Sequence, residues 1–187
     1  MTQSRVLALV GSLRDGAVSR QLAETAAHVA PEGVAVDVFD GLADLPFYNP
    51  DIDDPNSPIP AVAALRAATA QADALILVTP EYNGTIPAVL KNAIDWISRP
   101  YGIGAIKDKP IAVIGQSPSA NGGKWAQEDT RKAVGIAGGR VVDNATLIVG
   151  GTGQKFGDLH PRENVEVSDL IAGVVTELVA ASAPVAA

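Results

Sequence analysis

The sequence has no cysteine among its 187 residues. Disulfides, thiolate nucleophiles, iron–sulfur clusters and cysteine-ligated zinc are therefore excluded, and we expect a protein of the reducing cytoplasm. Histidine is also scarce, with His28 and His160 alone, and no G-x-S-x-G segment is present. A serine hydrolase with a histidine base is accordingly a poor hypothesis, because neither the nucleophile turn nor a well-placed base is present.

Clustered positive charge is missing as well. The 14 lysines and arginines are outnumbered by 21 aspartates and glutamates, which gives a net charge of −7. Binding to nucleic acid or to anionic membranes depends on clustered cations, so we expect neither as a partner. No apolar run approaches the length of a membrane span, and the short run near the N-terminus predicts a strand rather than a signal peptide.

Hydrophobic residues make up 47% of the chain, and they occur in short runs that alternate with amphipathic segments. Five runs predict strands, at residues 6–10, 34–39, 74–78, 111–115 and 145–149. Four of them are continuous and rich in branched residues, as in strands buried on both faces of a parallel sheet. The second run alternates apolar and polar residues, which predicts a half-exposed strand at an edge.

The segments between the runs have the spacing of amphipathic helices, at about 18–29, 62–69, 89–97, 123–136 and 165–181. Thr85 is a candidate N-cap for the third helix. The alternation predicts one α/β domain over residues 1–187, with a frayed C-terminal tail. We expect a doubly wound, five-stranded parallel sheet in the flavodoxin-like order 2-1-3-4-5, with helices on both faces.

In that order, ligands bind where the loops after strands 1, 3 and 4 meet. The first loop, GSLRDGAVSR, combines glycines with Ser12, Arg14 and Ser19 at a helix N-terminus. Hydroxyls, a guanidinium and free amides predict a phosphate site, and an ordinary capped turn is the alternative. It matches neither GxGxxG nor GxxxxGK[ST].

The second loop follows a buried strand directly with Pro80, Glu81, Tyr82, Asn83 and Gly84. Tyr82 is placed to lie against a planar ring, whereas a surface turn alone explains the Asn-Gly pair. The third loop, GQSPSANGGKWAQ, is small and polar, so its backbone is able to approach a ligand. A P-loop is rejected for it because proline and tryptophan stand at required positions.

Together these loops resemble the NADPH-dependent FMN reductase family, which includes bacterial quinone, chromate and azo-dye reductases. The segments GSLRDGAVSR, TPEYNGTIPAVLKNAIDWISRP and GQSPSANGGKWAQ carry the resemblance, over about residues 5–131. It implies an FMN cofactor and NADPH or NADH as donor. Ser12, Arg14 and Ser19 would hold the phosphate. The isoalloxazine would lie along Pro80, Glu81, Tyr82, Asn83 and Gly84, largely through backbone groups, with Ser117, Gly122 and Gly123 on its other side.

The implied reaction is hydride transfer from NAD(P)H through FMN to quinones or similar small acceptors, such as azo compounds, chromate or free flavin, in a ping-pong scheme. A flavodoxin-like electron carrier, or a supplier of reduced FMN to a monooxygenase, is the alternative. Ala17, Ala88 and Ser119 depart from the family pattern, and weaker FMN retention is the expected consequence.

The resemblance also implies a homodimer or homotetramer. The third helix, with Trp96, is the candidate interface, and intramolecular packing of Trp96 is the equal alternative. Three further features have plainer interpretations. The acidic residues at 51, 53 and 54 predict a solvated loop rather than a metal site. Residues 150–157 predict a flexible loop, and contact with a phosphate of the nicotinamide nucleotide is the alternative. His160 lies in a polar loop, where a position at the surface is favoured over one near the site.

Overall fold

Five parallel strands form the centre of the molecule in the computed structural model, which describes residues 3–182. They are β1 (Ser4–Val10), β2 (Val34–Val38), β3 (Ala74–Pro80), β4 (Pro110–Gln116) and β5 (Arg140–Val149). The strand order is β2-β1-β3-β4-β5. This confirms the predicted topology and places the alternating second strand at an edge. The C-terminal tail lies outside the described residues.

Helices cover both faces of the sheet. They are α1 (Val18–His28), α2 (Pro60–Gln71), α3 (Ala88–Ile97), α4 (Lys124–Ile136), α5 (Thr152–Phe156) and α6 (Val165–Ser182). The apolar side chains of α1 and α6 pack on one face, and those of α2, α3 and α4 pack on the other. Within residues 3–182, no helix is long and apolar enough to cross a membrane.

Three local predictions need correction. Strand β5 begins at Arg140, five residues before the predicted start at 145, because its exposed edge half includes polar residues that break the apolar run. Thr85 does not cap α3, whose N-cap is Pro87. The Thr85 hydroxyl instead donates a hydrogen bond to Asp129 Oδ2 at 2.5 Å. The segment predicted as a flexible loop contains α5, which begins after Gly151 in a left-handed conformation with φ of 63°.

Trp96 is buried inside its own chain and is not an interface residue. Its side chain is fully buried, and Nε1 donates to the Pro46 carbonyl oxygen at 2.8 Å. The Tyr48 ring meets it edge-on at 5.0 Å between centroids. Asn92 holds the same loop, because its Oδ1 accepts from the Tyr48 amide at 2.8 Å. The intramolecular alternative is therefore the correct one.

The sequence predicted that Asp53 lies in a solvated loop, but the structure shows it paired with an arginine. Its two carboxylate oxygens accept from Nη1 and Nη2 of Arg66, each at 2.8 Å. These hydrogen bonds lower the pKa of Asp53. The bidentate pair fastens the loop before α2 to that helix, so part of the acidic cluster serves the fold.

Candidate functional site

The carboxyl ends of β1, β3 and β4 open onto a cleft of about 310 Å³. This is where an open α/β sheet binds its ligands, since the loops diverge on either side of the point where strand order reverses. Seven of the eleven predicted site residues line the cleft, namely Ser12, Arg14, Ser19, Pro80, Glu81, Tyr82 and Ser117. Asn83, Gly84, Gly122 and Gly123 are not among its lining residues.

The first turn of α1 presents unused hydrogen-bond donors to the cleft. Gly16, with φ of 63°, turns the chain into the helix, and the N-cap Ala17 has no side-chain oxygen to bind the first amides. Within the described part of the chain, the backbone N–H groups of Val18 and Ser19 have no acceptor. A helix N-terminus with free amides is an electropositive site that favours an anion.

Ser19 joins this helix to the end of β4. Its side chain is fully buried, and its Oγ accepts a hydrogen bond from Gln116 Nε2 at 2.9 Å. The hydroxyl hydrogen of Ser19 has no acceptor among residues 3–182. Gln116 was missed by sequence reasoning. The available signal was a polar residue at the last position of an otherwise apolar strand.

Arg14 supplies the cationic group of the cleft. Its side chain donates from Nη1 to the Asp15 carbonyl oxygen at 3.2 Å, and it forms no ion pair in the described part of the chain. Ser12 Oγ lies 3.4 Å from the Arg14 backbone nitrogen and 3.5 Å from the Tyr82 hydroxyl. The loop after β1, which we call loop 1, therefore meets the loop after β3 at Ser12.

The Asn-Gly pair after Tyr82 forms a tight turn. Tyr82 and Thr85 exchange backbone hydrogen bonds of 3.3 and 3.2 Å, and Asn83 and Gly84 have φ of 54° and 75°. Positive φ at both central positions is typical of a type I′ turn. Asn83 and Gly84 therefore form the turn that the Asn-Gly pair predicted, while Tyr82 stands half exposed at the mouth of the cleft.

Gly122 and Gly123 are required by the packing of the loop after β4. Both are buried with positive φ, at 65° and 75°. A Cβ on Gly122 would lie 2.4 Å from Cγ2 of Ile148, and one on Gly123 would lie 2.7 Å from the carbonyl oxygen of Gln116. These glycines let the loop after β4 fold back against the strand ends.

A larger cavity of about 520 Å³ lies on the β2 side of loop 1 and shares Ser12 and Arg14 with the cleft. Among its other charged groups, Asp40 and Glu24 both pair with Arg20. Arg20 donates to Asp40 at 2.5 Å and to Glu24 at 3.0 Å, which raises the pKa of Arg20. His160 Nδ1 accepts from the Arg162 amide, so Nε2 of the neutral ring donates to Glu24. His160 therefore belongs to this cavity and is not a lining residue of the cleft.

The sequence pattern of the NADPH-dependent FMN reductases matches residues 4–154. The chain belongs to this family. Among its relatives, a 2-hydroxy-1,4-benzoquinone reductase from Burkholderia sp is 44% identical over 128 residues, which cover 68% of each chain. A quinone reductase from Pseudomonas putida is 36% identical over 153 residues, covering 82% of this chain and 81% of that protein.

Solved structures agree with this family assignment. The flavoenzyme FerB, an NAD(P)H:(acceptor) oxidoreductase from Paracoccus denitrificans, superposes with a TM-score of 0.79 at 27% identity. The match covers 95% of this chain and 98% of FerB. A flavodoxin from Pseudomonas aeruginosa, at 21% identity and a TM-score of 0.59, shares the fold and covers 93% of this chain.

As a member of the family, the chain is an oxidoreductase that uses FMN and a reduced nicotinamide nucleotide. The donor set of the cleft fits a phosphate monoester at one end, because free amides, hydroxyls and an unpaired guanidinium converge there. Besides Gln116, the lining residues that sequence reasoning missed are Ala17, Val18, Pro118, Thr152, Gly153 and Gly157. The last three come from the segment after β5, whose apparent flexibility concealed its proximity.

Proposed function

We propose that this chain, acting as one domain, holds FMN along the cleft and passes electrons from NADPH or NADH to a quinone. The observation that carries the proposal is the set of unused donors at the start of α1, in a cleft whose opposite wall bears an aromatic ring. The quinone reductases among its relatives support the class of acceptor. Its nicotinamide donor is a cytoplasmic metabolite, so we place the reaction in the cytoplasm.

The phosphate end of the cofactor would lie on loop 1. That end is lined by the amides of Val18 and Ser19, the hydroxyls of Ser12 and Ser19, and the Arg14 guanidinium. Charged hydrogen bonds of this kind are among the stronger ones that proteins make. Ala17 adds no hydroxyl, so FMN retention depends more heavily on Arg14 than it would with serine there.

The ring end would lie between the loops after β3 and β4. Pro80, Tyr82, Ser117 and Pro118 line this part of the cleft. Bound there, FMN would supply the redox chemistry, namely hydride transfer from the nicotinamide and two-electron reduction of the acceptor. The protein positions the ring, and the flat side chains of Pro80, Tyr82 and Pro118 exclude water from it.

No histidine or lysine is among the described residues that line the cleft, and Oε2 of Glu81 accepts hydrogen bonds from two backbone amides of α4. The residues therefore bind and orient, and protons for quinone reduction come from solvent. One cleft would serve donor and acceptor in turn, which gives ping-pong kinetics. Azo compounds, chromate and free flavin, which the family resemblance implies, are further candidate acceptors.

The test is an absorbance spectrum of the purified protein with FMN, followed by NADPH under anaerobic conditions and then by a quinone. We expect bound flavin that bleaches with NADPH and recovers with quinone. Bound flavin that NADPH does not bleach would favour a flavodoxin-like carrier. Loss of FMN on each turnover would favour supply of reduced flavin to a partner enzyme, and failure to bind FMN would refute the proposal.

We also propose that the chain forms a homodimer or homotetramer through exposed aromatic side chains near the end of α3. Phe47 is 79% exposed and Tyr101 is 72% exposed. Arg99 lies between the two aromatic residues. Its guanidinium is 5.4 Å from the ring of Tyr48, the residue next to Phe47, and 5.9 Å from the ring of Tyr101. Light scattering of the protein and of a Phe47→Ser variant would test this, and a monomer in both samples would refute it.

A further inference from the structure

Glu81 lines the cleft, but its side chain binds the beginning of α4, which lies outside the lining residues. Its Oε2 accepts hydrogen bonds from the backbone amides of Trp125 at 3.0 Å and Ala126 at 3.2 Å. The N-cap residue of α4 is Gly123, which has no side chain to bind these amides. Glu81 therefore caps α4 from a position 44 residues away in the sequence. A carboxylate is well suited to this, because the helix N-terminus is electropositive.

Two further contacts join the same elements. The Thr85 hydroxyl donates to Asp129 Oδ2 at 2.5 Å, one turn further along α4. The Trp125 ring lies beside Gly84, 3.5 Å from the position that a Cβ on Gly84 would occupy. The tight turn that follows Tyr82 is thus fastened to the beginning of α4 at both of its ends.

We propose that the Glu81 side chain is a positioning residue for FMN. By capping α4 it fixes the spacing between the loop after β3, which carries Tyr82, and the loop after β4, which carries Ser117. This inference rests on the proposed function, and it gives the Glu81 carboxylate a role of its own, whereas the family resemblance placed Glu81 along the flavin ring largely through backbone groups. The carboxylate acts through α4 and does not touch the reacting atoms.

A residue that only stabilised α4 would behave differently. Its loss would lower the melting temperature of the protein without FMN, and the cleft of the folded fraction would bind FMN as before. A positioning residue, when lost, also changes the width of the cleft. The affinity for FMN and the environment of the bound ring then change together, and both can be measured without turnover.

The experiment compares Glu81→Ala and Glu81→Gln with a control, Glu128→Gln. Glu128 is exposed on the same helix and contacts Lys124 at 3.8 Å, so the control removes an equal charge at a distance from the cleft. The measurements are the FMN dissociation constant from flavin fluorescence, the visible circular dichroism of bound FMN, and the melting temperature of the FMN-free protein.

For Glu81→Ala we expect the FMN dissociation constant to rise about tenfold, because the two loops would no longer be held at the spacing that the flavin ring needs, and we expect an altered dichroism band. Glu81→Gln keeps a neutral acceptor oxygen and should lie between Glu81→Ala and the wild type. The control should match the wild type. If Glu81→Ala does not fold, Thr85→Ala, which removes the second attachment, should show a smaller rise of the same kind.

Wild-type affinity and dichroism in Glu81→Ala, with only a lowered melting temperature, would overturn the inference and leave Glu81 as a helix cap. An equal rise in the dissociation constant in Glu128→Gln would also overturn it, because net charge would then explain the effect. Failure of the wild type to bind FMN would instead refute the proposed function, which is a separate result.

Discussion

Replacement of Arg14 by alanine should weaken FMN binding while leaving the fold intact. The side chain is exposed and makes a single hydrogen bond within the described protein, to the Asp15 carbonyl oxygen at 3.2 Å. Its removal should therefore change the free energy of unfolding by no more than about 0.5 kcal/mol. The cost should fall on the cofactor, because Arg14 is the only lysine or arginine among the described residues that line the cleft.

The magnitude follows from the contact that would be lost. A hydrogen bond from a charged donor is worth about 1.5–3 kcal/mol. At about 1.4 kcal/mol for each factor of ten, the FMN dissociation constant should rise roughly 10- to 150-fold. Arg14 is exposed, so solvent screens the pair and the lower part of this range applies. The difference between the variant and the wild type should also shrink as salt is added.

Fluorescence titration of FMN at two salt concentrations is the assay, and Arg5→Ala is the matched control. Arg5 is likewise exposed, but it lies near the amino end of β1, whereas the cleft lies at the carboxyl ends of the strands. Arg5 pairs there with Asp37 at 3.6 Å. The control should bind FMN as the wild type does. Unchanged affinity in Arg14→Ala would remove Arg14 from the phosphate site, and equal weakening in Arg5→Ala would show that only net charge matters.

Tyr82→Ala should alter the visible spectrum of bound FMN and its rate of reduction by NADPH, whereas Tyr82→Phe should keep both, and indistinguishable spectra in all three proteins would make the ring a bystander. Gly122→Ala should lower stability by about 1–3 kcal/mol in thermal denaturation, since its Cβ would overlap a neighbouring side chain and its φ is 65°. Gly173 lies in the middle of α6, and a Cβ there would meet no other atom within 4 Å. Gly173→Ala should therefore raise stability by up to about 1 kcal/mol through higher helix propensity, and a lower melting temperature would contradict this. The hydrogen bonds from Arg66 lower the pKa of Asp53. The ionised carboxylate therefore contributes stability above its unfolded pKa of about 3.9, and this is lost as pH falls through the lower folded value. Asp53→Asn should flatten that acid limb of the stability curve, and an unchanged limb would refute the assignment.

The strand order was predictable because the apolar pattern of each strand shows how deeply the strand is buried. Continuous branched runs indicate burial on both faces, and the alternating run at 34–39 indicates an edge. With the order known, the topology alone brought together the loops that contain Ser12, Tyr82 and Ser117. The missed half of β5 shows the limit of this reasoning, since an exposed edge carries no apolar run to detect.

Bonds between side chains that lie far apart in the sequence were not predictable. Gln116 reaches Ser19 across 97 positions, and Glu81 reaches α4 across 44. Hydrophobic periodicity reports which face of an element is buried, but it does not report which polar group a buried donor or acceptor will meet. Trp96 shows the same gap, because its apolar ring gave no indication that its N–H would bind the Pro46 carbonyl oxygen.

The ends of α1 and α4 explain why an anion would bind on one side of the cleft. Neither helix has a capping side chain at its own N-cap, where Ala17 and Gly123 stand. In α4 the Glu81 carboxylate already occupies the first amides, so an external phosphate there would displace a bound charge and meet its repulsion. In α1 no acceptor among the described residues takes the amides of Val18 and Ser19. The protein thus supplies its own anion to one helix and leaves the other open, which favours placing the phosphate at α1 and the ring towards α4.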